Sequence, residues 1–131
     1  MDFTEVDIRV RYSECDAQSV AHHSAYPVWM EIARTELLRC NGKAYRDLES
    51  RGVYFVVTQL SVRYRRPAMY DDVVRVGVRH TTVGKVRIEH TYTFHRGAEL
   101  LAEAASTIAC VDGEGRPRAI PDGLVADAPA P

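Results

Sequence analysis

Hydrophobic residues change their spacing along this 131-residue chain. Over Ile8–Tyr12 apolar side chains fall on alternate residues, which is the period of a strand. Over Ser24–Cys40 they recur at the spacing of a helix. The helical stripe consists of Tyr26, Trp29, Met30, Ala33, Leu37 and Cys40. Ser24 is the predicted N-cap, Pro27 suits the first turn, and Gly42 follows the predicted end.

The predicted helix is apolar on more than one side. Val28, Ile32 and Leu38 lie off its main stripe. A helix that is apolar on several sides is buried on more than one of them. We therefore expect this helix to be embedded in the protein.

Strand-like alternation returns after a short second helix, which the pattern predicts over Ala44–Ser50. Turn signals divide the rest into four predicted strands: Tyr54–Tyr64, Val73–Thr81, Val86–Phe94 and Leu100–Val111. Short connections favour antiparallel neighbours. The order predicts one α+β domain over residues 1–131, with about five strands curled round one long helix. The Ala/Pro-rich tail, about 122–131, is expected to fray.

Composition narrows the class of protein. A net charge of −1 argues against a general nucleic-acid binder, and no apolar run approaches the roughly 20 residues that span a membrane. The acidic, alternating N-terminus does not resemble a signal peptide. Three scattered cysteines, Cys15, Cys40 and Cys110, do not form a disulfide framework or a zinc site. A reducing, cytoplasmic compartment is expected.

Three segments carry a family resemblance. They read RVRYSECDAQSVAHHSAYPVWMEIARTELLR, VRYRRPAMYDDVVRV and VDGEGRPRAIP. Together they resemble the hotdog-fold acyl-CoA thioesterases of the 4-hydroxybenzoyl-CoA thioesterase type, over about Val6 to Pro121. The resemblance implies a hotdog fold, hydrolysis of an acyl-CoA or aroyl-CoA thioester, and a homodimer or homotetramer with active sites between subunits. It implies no separate cofactor, since coenzyme A is part of the substrate.

The same resemblance assigns the catalytic roles. Asp16 matches the catalytic carboxylate, and the backbone N–H at about His23 matches the group that polarises the thioester carbonyl. A helix N-terminus suits the negative charge that develops on that oxygen. Asp16 can attack the carbonyl or deprotonate a water, and both roles stay open. Ser19 stands where the family usually has Gly, which is costly if the position needs a positive φ.

The neighbouring side chains have weaker assignments. His22 either orients Asp16, binds the acyl carbonyl, or is a half-buried His satisfied by the backbone. No metal is predicted, because adjacent histidines project in different directions and no third ligand stands at suitable spacing. Ser24 is a cap rather than a nucleophile. Tyr26 is expected in the core, and Cys15 is expected to pack.

Basic residues are the candidates for binding the phosphates of coenzyme A. From Leu60 to His90 there are seven basic residues against three acidic ones. The candidates are Arg63, Arg65, Lys85 and Arg87. The alternative is a half-exposed sheet face that simply carries arginine. Four residues of the second predicted strand are candidates for the acyl pocket: Tyr54, Phe55, Thr58 and Gln59.

Two other functions remain as alternatives. One is a non-catalytic acyl-CoA-binding module, which gains nothing from burying a charge at Asp16. The other is a hotdog-fold hydratase or dehydratase, which typically shows an Asp/His pair at a different spacing. The sequence selects neither the acyl group nor coenzyme A over an acyl-carrier protein.

Overall fold

A five-stranded antiparallel sheet with one long helix across its face forms the structure, a computed structural model that describes residues 2–122 and 124. The elements are β1 (Phe3–Arg9), α1 (Ala25–Cys40), α2 (Tyr45–Glu49), β2 (Tyr54–Tyr64), β3 (Val73–Val83), β4 (Arg87–Arg96) and β5 (Glu99–Val111). A single 3-10 turn, Tyr12–Glu14, lies between β1 and α1. The strand order is β1-β3-β4-β5-β2. The α+β arrangement predicted from the alternation is confirmed.

The first strand lies earlier than predicted. Its register with β3 runs from Phe3 opposite Arg79 to Arg9 opposite Val73. At Val10 the chain leaves the sheet, with the Val10 N–H bonded to the Asp72 carbonyl at 2.8 Å. The predicted strand over Ile8–Tyr12 is therefore wrong in its second half, which forms the 3-10 turn.

Helix α1 corrects two further predictions. Ser24 has helical backbone angles and makes no side-chain cap bond. Its hydroxyl bonds the ring of His22 instead. Cys40 is exposed, because the last turn directs Leu37 and Leu38 to the core. Pro27 occupies the first turn as predicted.

The core lies between α1 and the inward-facing alternate residues of β3, β4 and β5. Its first cluster surrounds Trp29 and Met30, both fully buried. A second cluster consists of Leu38, Leu48, Val53, Ile88, Ile108, Cys110 and Leu124. Leu124 is therefore packed, although the predicted tail includes it, whereas residues 123 and 125–131 of that tail lie outside the described residues.

Two apolar surfaces are left open within the described chain. Val28 and Ile32 on α1 are 47% and 38% exposed. Strand β2 is an edge of the sheet, and Val56, Val57 and Leu60 on it are exposed. An open apolar edge strand favours pairing with another strand. Among the described residues no helix is long and apolar enough to cross a membrane.

Candidate active site

Asp16 opens a compact loop that ends at Val20. Its Oδ1 accepts the N–H groups of Gln18 at 2.8 Å and Val20 at 3.2 Å. The Asp16 N–H donates to the Val20 carbonyl, and the Ser19 N–H donates to the Asp16 carbonyl. No described residue donates a hydrogen bond to Oδ2, and the side chain is exposed. One carboxylate oxygen is thus held by the loop, while the other is available to a ligand.

Ser19 occupies the left-handed region of backbone space. Its φ is 63°, so this position has the positive φ that favours glycine. A non-glycine residue in this region is strained by about 1–2 kcal/mol. The loop before the helix therefore keeps the geometry that a glycine would give it, at some cost in stability.

The His23 N–H, just before α1, has no hydrogen-bond acceptor among the residues that the structure describes. The Ser24 N–H donates to the His22 ring, the Ala25 N–H to the His22 carbonyl, and the Tyr26 N–H to the His23 carbonyl. The His22 N–H donates to the Glu14 carbonyl at 2.7 Å. Among the described residues nothing accepts from the His23 N–H. It lies two residues before the first residue of α1, at the electropositive end that the free N–H groups of a first turn create.

His22 is engaged with the helix start. Its Nδ1 accepts the Ser24 N–H at 3.2 Å and lies 2.8 Å from the Ser24 hydroxyl oxygen. An Nδ1 that accepts from a backbone N–H carries no proton, so the proton of the neutral ring lies on Nε2. The His23 ring lies against it, with 4.0 Å between ring centroids. Both imidazoles are exposed in the single chain, and the Ser24 hydroxyl is occupied by His22.

Aromatic packing holds the helix start in place. The Tyr64 hydroxyl donates to the His23 carbonyl at 3.2 Å, and the Tyr64 ring meets the Tyr26 ring edge to face. Tyr26 is 2% exposed, which confirms its predicted place in the core. Cys15 packs against the first cluster, as predicted. Burial, together with the charges of Glu14 and Asp16, raises the pKa of its thiol.

The four basic candidates divide between two ends of the sheet. Arg63 lies opposite Glu103 of β5, and Arg87 lies opposite Ala109. Six residues of strand separate these two levels, which is roughly 20 Å. Arg65 follows β2 at the Arg63 end and pairs with Glu103 at 2.9 Å, and Lys85 precedes Arg87 at the other end. A single chain therefore does not bring the four together.

The four candidate pocket residues also diverge. Phe55 lines a cleft of about 280 Å³ between α1, α2 and β2. Gln59 lines a separate groove of about 270 Å³, together with Thr81, Glu89 and Thr91. Thr58 lies at a bulge and donates to the Thr107 carbonyl. Of the four, only Phe55 lies in the cleft beside α1.

Sequence reasoning missed a polar layer inside the core. Arg34 is 6% exposed and donates to the Tyr92 hydroxyl at 3.0 Å, which lies 2.6 Å from the Ser106 hydroxyl. Nearby, the Nδ1 atoms of His80 and His90 are buried without a partner among the described residues. Burial, with the charges of His80 and Arg34, lowers the pKa of His90 to about 3. The alternation of β4 already placed His90 on the same face as Ile88 and Tyr92.

Sequence reasoning also missed Glu14. A carboxylate two residues from Asp16 in a polar segment gives no signal of burial, yet Glu14 is 9% exposed. Within the described part of the chain, no group of three or more His, Cys, Asp or Glu residues is placed to hold a metal ion.

Comparison with known proteins supplies the family. Residues 10–128 match the model of the thioesterase-like superfamily. Acyl-CoA thioester hydrolase YbgC of Escherichia coli is 34% identical over 122 residues, covering 92% of this chain and 91% of that protein. Long-chain acyl-CoA thioesterase FadM of Escherichia coli is 26% identical over 82% of this chain and 83% of that protein. The crystal structure of the DHNA-CoA thioesterase from Staphylococcus aureus superposes with a TM-score of 0.87 at 26% identity, covering 91% of this chain and 81% of that one. The chain therefore belongs to the thioesterase-like superfamily and has its hotdog fold, as the three sequence segments predicted.

Proposed function

We propose that the protein hydrolyses an acyl-CoA or aroyl-CoA thioester to the free acid and coenzyme A. In this proposal Asp16 is the nucleophile or general base, and the His23 N–H binds the carbonyl oxygen. The observation that carries it is the His23 N–H just before α1, which follows the loop of Asp16. Within the described part of the chain this N–H has no acceptor, and Oδ2 of Asp16 has no donor. Membership of the thioesterase-like superfamily supports the reaction class.

The chemistry needs both groups at the moment when the carbonyl carbon becomes tetrahedral. Negative charge then develops on the oxygen, and a donor fixed in a helix start stabilises it without reorganising. The Asp16 carboxylate either adds to the carbon, forming an anhydride that water opens, or takes a proton from the water that adds. In both cases the C–S bond breaks and coenzyme A leaves as its thiolate. His22, through Nε2, is the side chain proposed to orient the carboxylate or the water.

The proposed active form is a homodimer or homotetramer. The open edge of β2 and the exposed Val28 and Ile32 of α1 support pairing across a two-fold axis. Antiparallel pairing of two β2 edges brings the Lys85 end of one chain to the Tyr64 end of its partner. Such pairing would unite the two halves of the proposed phosphate-binding set, Arg63 and Arg65 from one subunit with Lys85 and Arg87 from the other.

Sedimentation tests the assembly. We expect wild-type protein at micromolar concentration to sediment as a dimer or larger species. Val57→Lys on the β2 edge should shift the protein toward the 14.7 kDa monomer, because an unpaired lysine at a buried edge is costly. Thr91→Lys on the outer face of β4 is the matched control. Monomeric wild-type protein would contradict the proposed assembly.

A thioester panel tests the reaction. Wild-type protein is mixed with aliphatic and aromatic coenzyme A thioesters and with an acyl-carrier-protein thioester, and free thiol is measured. Release of coenzyme A supports the proposal, whereas a change in double-bond absorbance without thiol indicates a hydratase. Tight binding of the thioesters without release indicates a binding module. Activity should persist in a chelator, since no metal is part of the proposal.

The proposed phosphate-binding residues are tested by the KM and kcat of their alanine variants. Arg65→Ala and Arg87→Ala should each raise KM for a coenzyme A thioester and leave kcat nearly unchanged, because they remove binding common to substrate and transition state. Arg75→Ala, on β3, is the control. Equal KM values for all three variants and wild type would remove these residues from the site.

A further inference from the structure

Glu14 is a buried carboxylate two residues before Asp16. It is 9% exposed, and a buried charge is tolerated only when it is fully hydrogen-bonded. Oε1 accepts the Arg11 N–H at 2.8 Å. Oε2 accepts the indole N–H of Trp29 at 2.8 Å and the Arg11 guanidinium at 3.2 Å. Three donors therefore serve the two oxygens. Two of them, the Arg11 backbone N–H and the Trp29 indole N–H, belong to groups that cannot easily move.

Trp29 makes this anchor rigid. Its ring is fully buried and packs against Tyr26, with 4.7 Å between centroids, and against Phe94 at 6.4 Å. Trp29 lies on the second turn of α1, one turn beyond the helix start. The Glu14–Trp29 bond therefore fixes the chain before Asp16 to the body of α1, the helix that begins two residues after His23.

The main chain of Glu14 closes the other side of the loop. Its carbonyl accepts the His22 N–H at 2.7 Å, and Cys15 pairs with Ala21 in an isolated bridge. Residues 15–21, including Asp16, thus form a loop that is closed by Glu14 and His22. A shift of Glu14 and of its 3-10 turn would move Asp16 relative to the His23 N–H.

We infer that Glu14 is a positioning residue, which holds the Asp16 carboxylate at working distance from the His23 N–H through its bond to Trp29. The inference rests on the proposed function. Glu14 does not touch the substrate; it acts through Trp29, Arg11 and the closed loop. Although burial raises its pKa, the bonds from Arg11 and Trp29 hold the pKa below its usual value, so these surroundings favour the charged form.

The test compares Glu14→Gln and Trp29→Phe with a control of the core. Glu14→Gln keeps the shape of the side chain but presents an amide to one of its donors, and Trp29→Phe keeps an aromatic ring but removes the indole N–H. Val53→Ala in the second cluster is the control for lost stability alone. Each protein is assayed well below its unfolding temperature, and its free energy of unfolding is measured in urea.

We expect Glu14→Gln and Trp29→Phe each to lower kcat by roughly 10- to 100-fold, with KM little changed, because small misplacements of reacting groups have effects of this size. The double variant should lose no more than the worse single variant, since both break one connection. Glu14→Asp should recover part of kcat if Asp reaches Trp29. Val53→Ala should keep wild-type kcat.

The inference is overturned if both variants fold and retain the kcat of Val53→Ala, or if their losses multiply in the double variant. Should Glu14→Gln not fold, Trp29→Phe alone decides, because it leaves the carboxylate in place. Failure of the proposed function looks different: wild-type protein would then release no thiol from any thioester, and Asp16→Asn would change nothing.

Discussion

Two loops of this protein share one hydrogen-bonded design but lie in different surroundings. In the loop that begins at Asp16, the carboxylate accepts the N–H groups two and four residues ahead, at 2.8 and 3.2 Å. In the loop that begins at Asp112, after β5, the carboxylate does the same at 2.9 and 3.0 Å. The main-chain bonds also correspond, since each Asp donates to the carbonyl four residues ahead and accepts from the N–H three ahead. The third residue after each Asp has a positive φ, Ser19 at 63° and Gly115 at 82°.

The comparison shows that the loop alone does not make a site. Asp112 closes a turn at the end of the last strand, and no helix follows it in the part of the chain that the structure describes. Asp16 is followed by the His23 N–H, which has no acceptor in the described ranges 2–122 and 124, and is tied to the helix through the buried Glu14. The hydrogen bonds to Oδ1 are therefore structural in both loops, and the helix start distinguishes the one proposed to be catalytic.

The largest expected difference between the loops is in activity. Asp16→Asn keeps the Oδ1 acceptor and removes charge and basicity, so we expect kcat to fall by about 10²- to 10⁴-fold, the scale of acid–base assistance. Asp112→Asn makes the same change in the matching loop and should leave kcat unchanged. Steady-state thiol release measures both. Near wild-type kcat in a folded Asp16→Asn protein would remove Asp16 from the mechanism, and His22 would be the next residue to test.

A smaller effect, on stability, should be equal in the two loops. Asp16→Ala and Asp112→Ala each remove a carboxylate that accepts two exposed N–H groups. Water can replace that carboxylate as the acceptor. We expect each to lower the free energy of unfolding by about 1 kcal/mol, which is typical of such side-chain-to-backbone bonds. Urea unfolding of both variants measures this. A much larger loss at Asp16 would mean that its loop carries structural contacts that the other lacks.

The smallest effects should come in opposite directions from the third residue after each Asp. Ser19→Gly relieves the left-handed strain but gives the unfolded chain more freedom, so a net gain of about 0.5–1 kcal/mol is expected. Gly115→Ser should lose a similar amount, since nothing lies within 4 Å of the added Cβ and only the backbone is strained. Thermal unfolding of the two variants checks the signs. Two changes of the same sign would contradict the shared design.

The sequence predicted the sheet because alternation is a local signal. The bounds of β2 were read correctly, and those of β3, β4 and β5 to within two residues. The first strand was misplaced because Tyr12 continues the apolar alternation of Ile8 and Val10 along the sequence. In the structure Tyr12 belongs to a 3-10 turn that does not join the sheet. Ser24 was read as a cap because its preference for that position is statistical, whereas the structure gives the role of acceptor to the ring of His22.

The candidate site was predictable only where a motif carries it. Asp16, Ser19 and His23 are named by the N-terminal resemblance. The usual glycine at Ser19 left a positive φ there as an open condition, which the structure meets. Glu14 and Arg34 could not be predicted, because their burial depends on Trp29 and Tyr92, which lie 15 and 58 residues away. The division of the basic residues between the two ends of β5 likewise depends on strand register, which local spacing does not encode.

The central claim is that the start of α1 polarises a thioester carbonyl beside Asp16. Infrared spectroscopy measures this directly, with a ¹³C-labelled thioester carbonyl bound to the slow Asp16→Asn protein. The account predicts that the C=O stretch of the bound thioester lies at lower frequency than in a non-hydrogen-bonding solvent and at least as low as in water, because the His23 N–H donates to the oxygen. A bound carbonyl with the frequency of the non-hydrogen-bonding solvent would contradict the account.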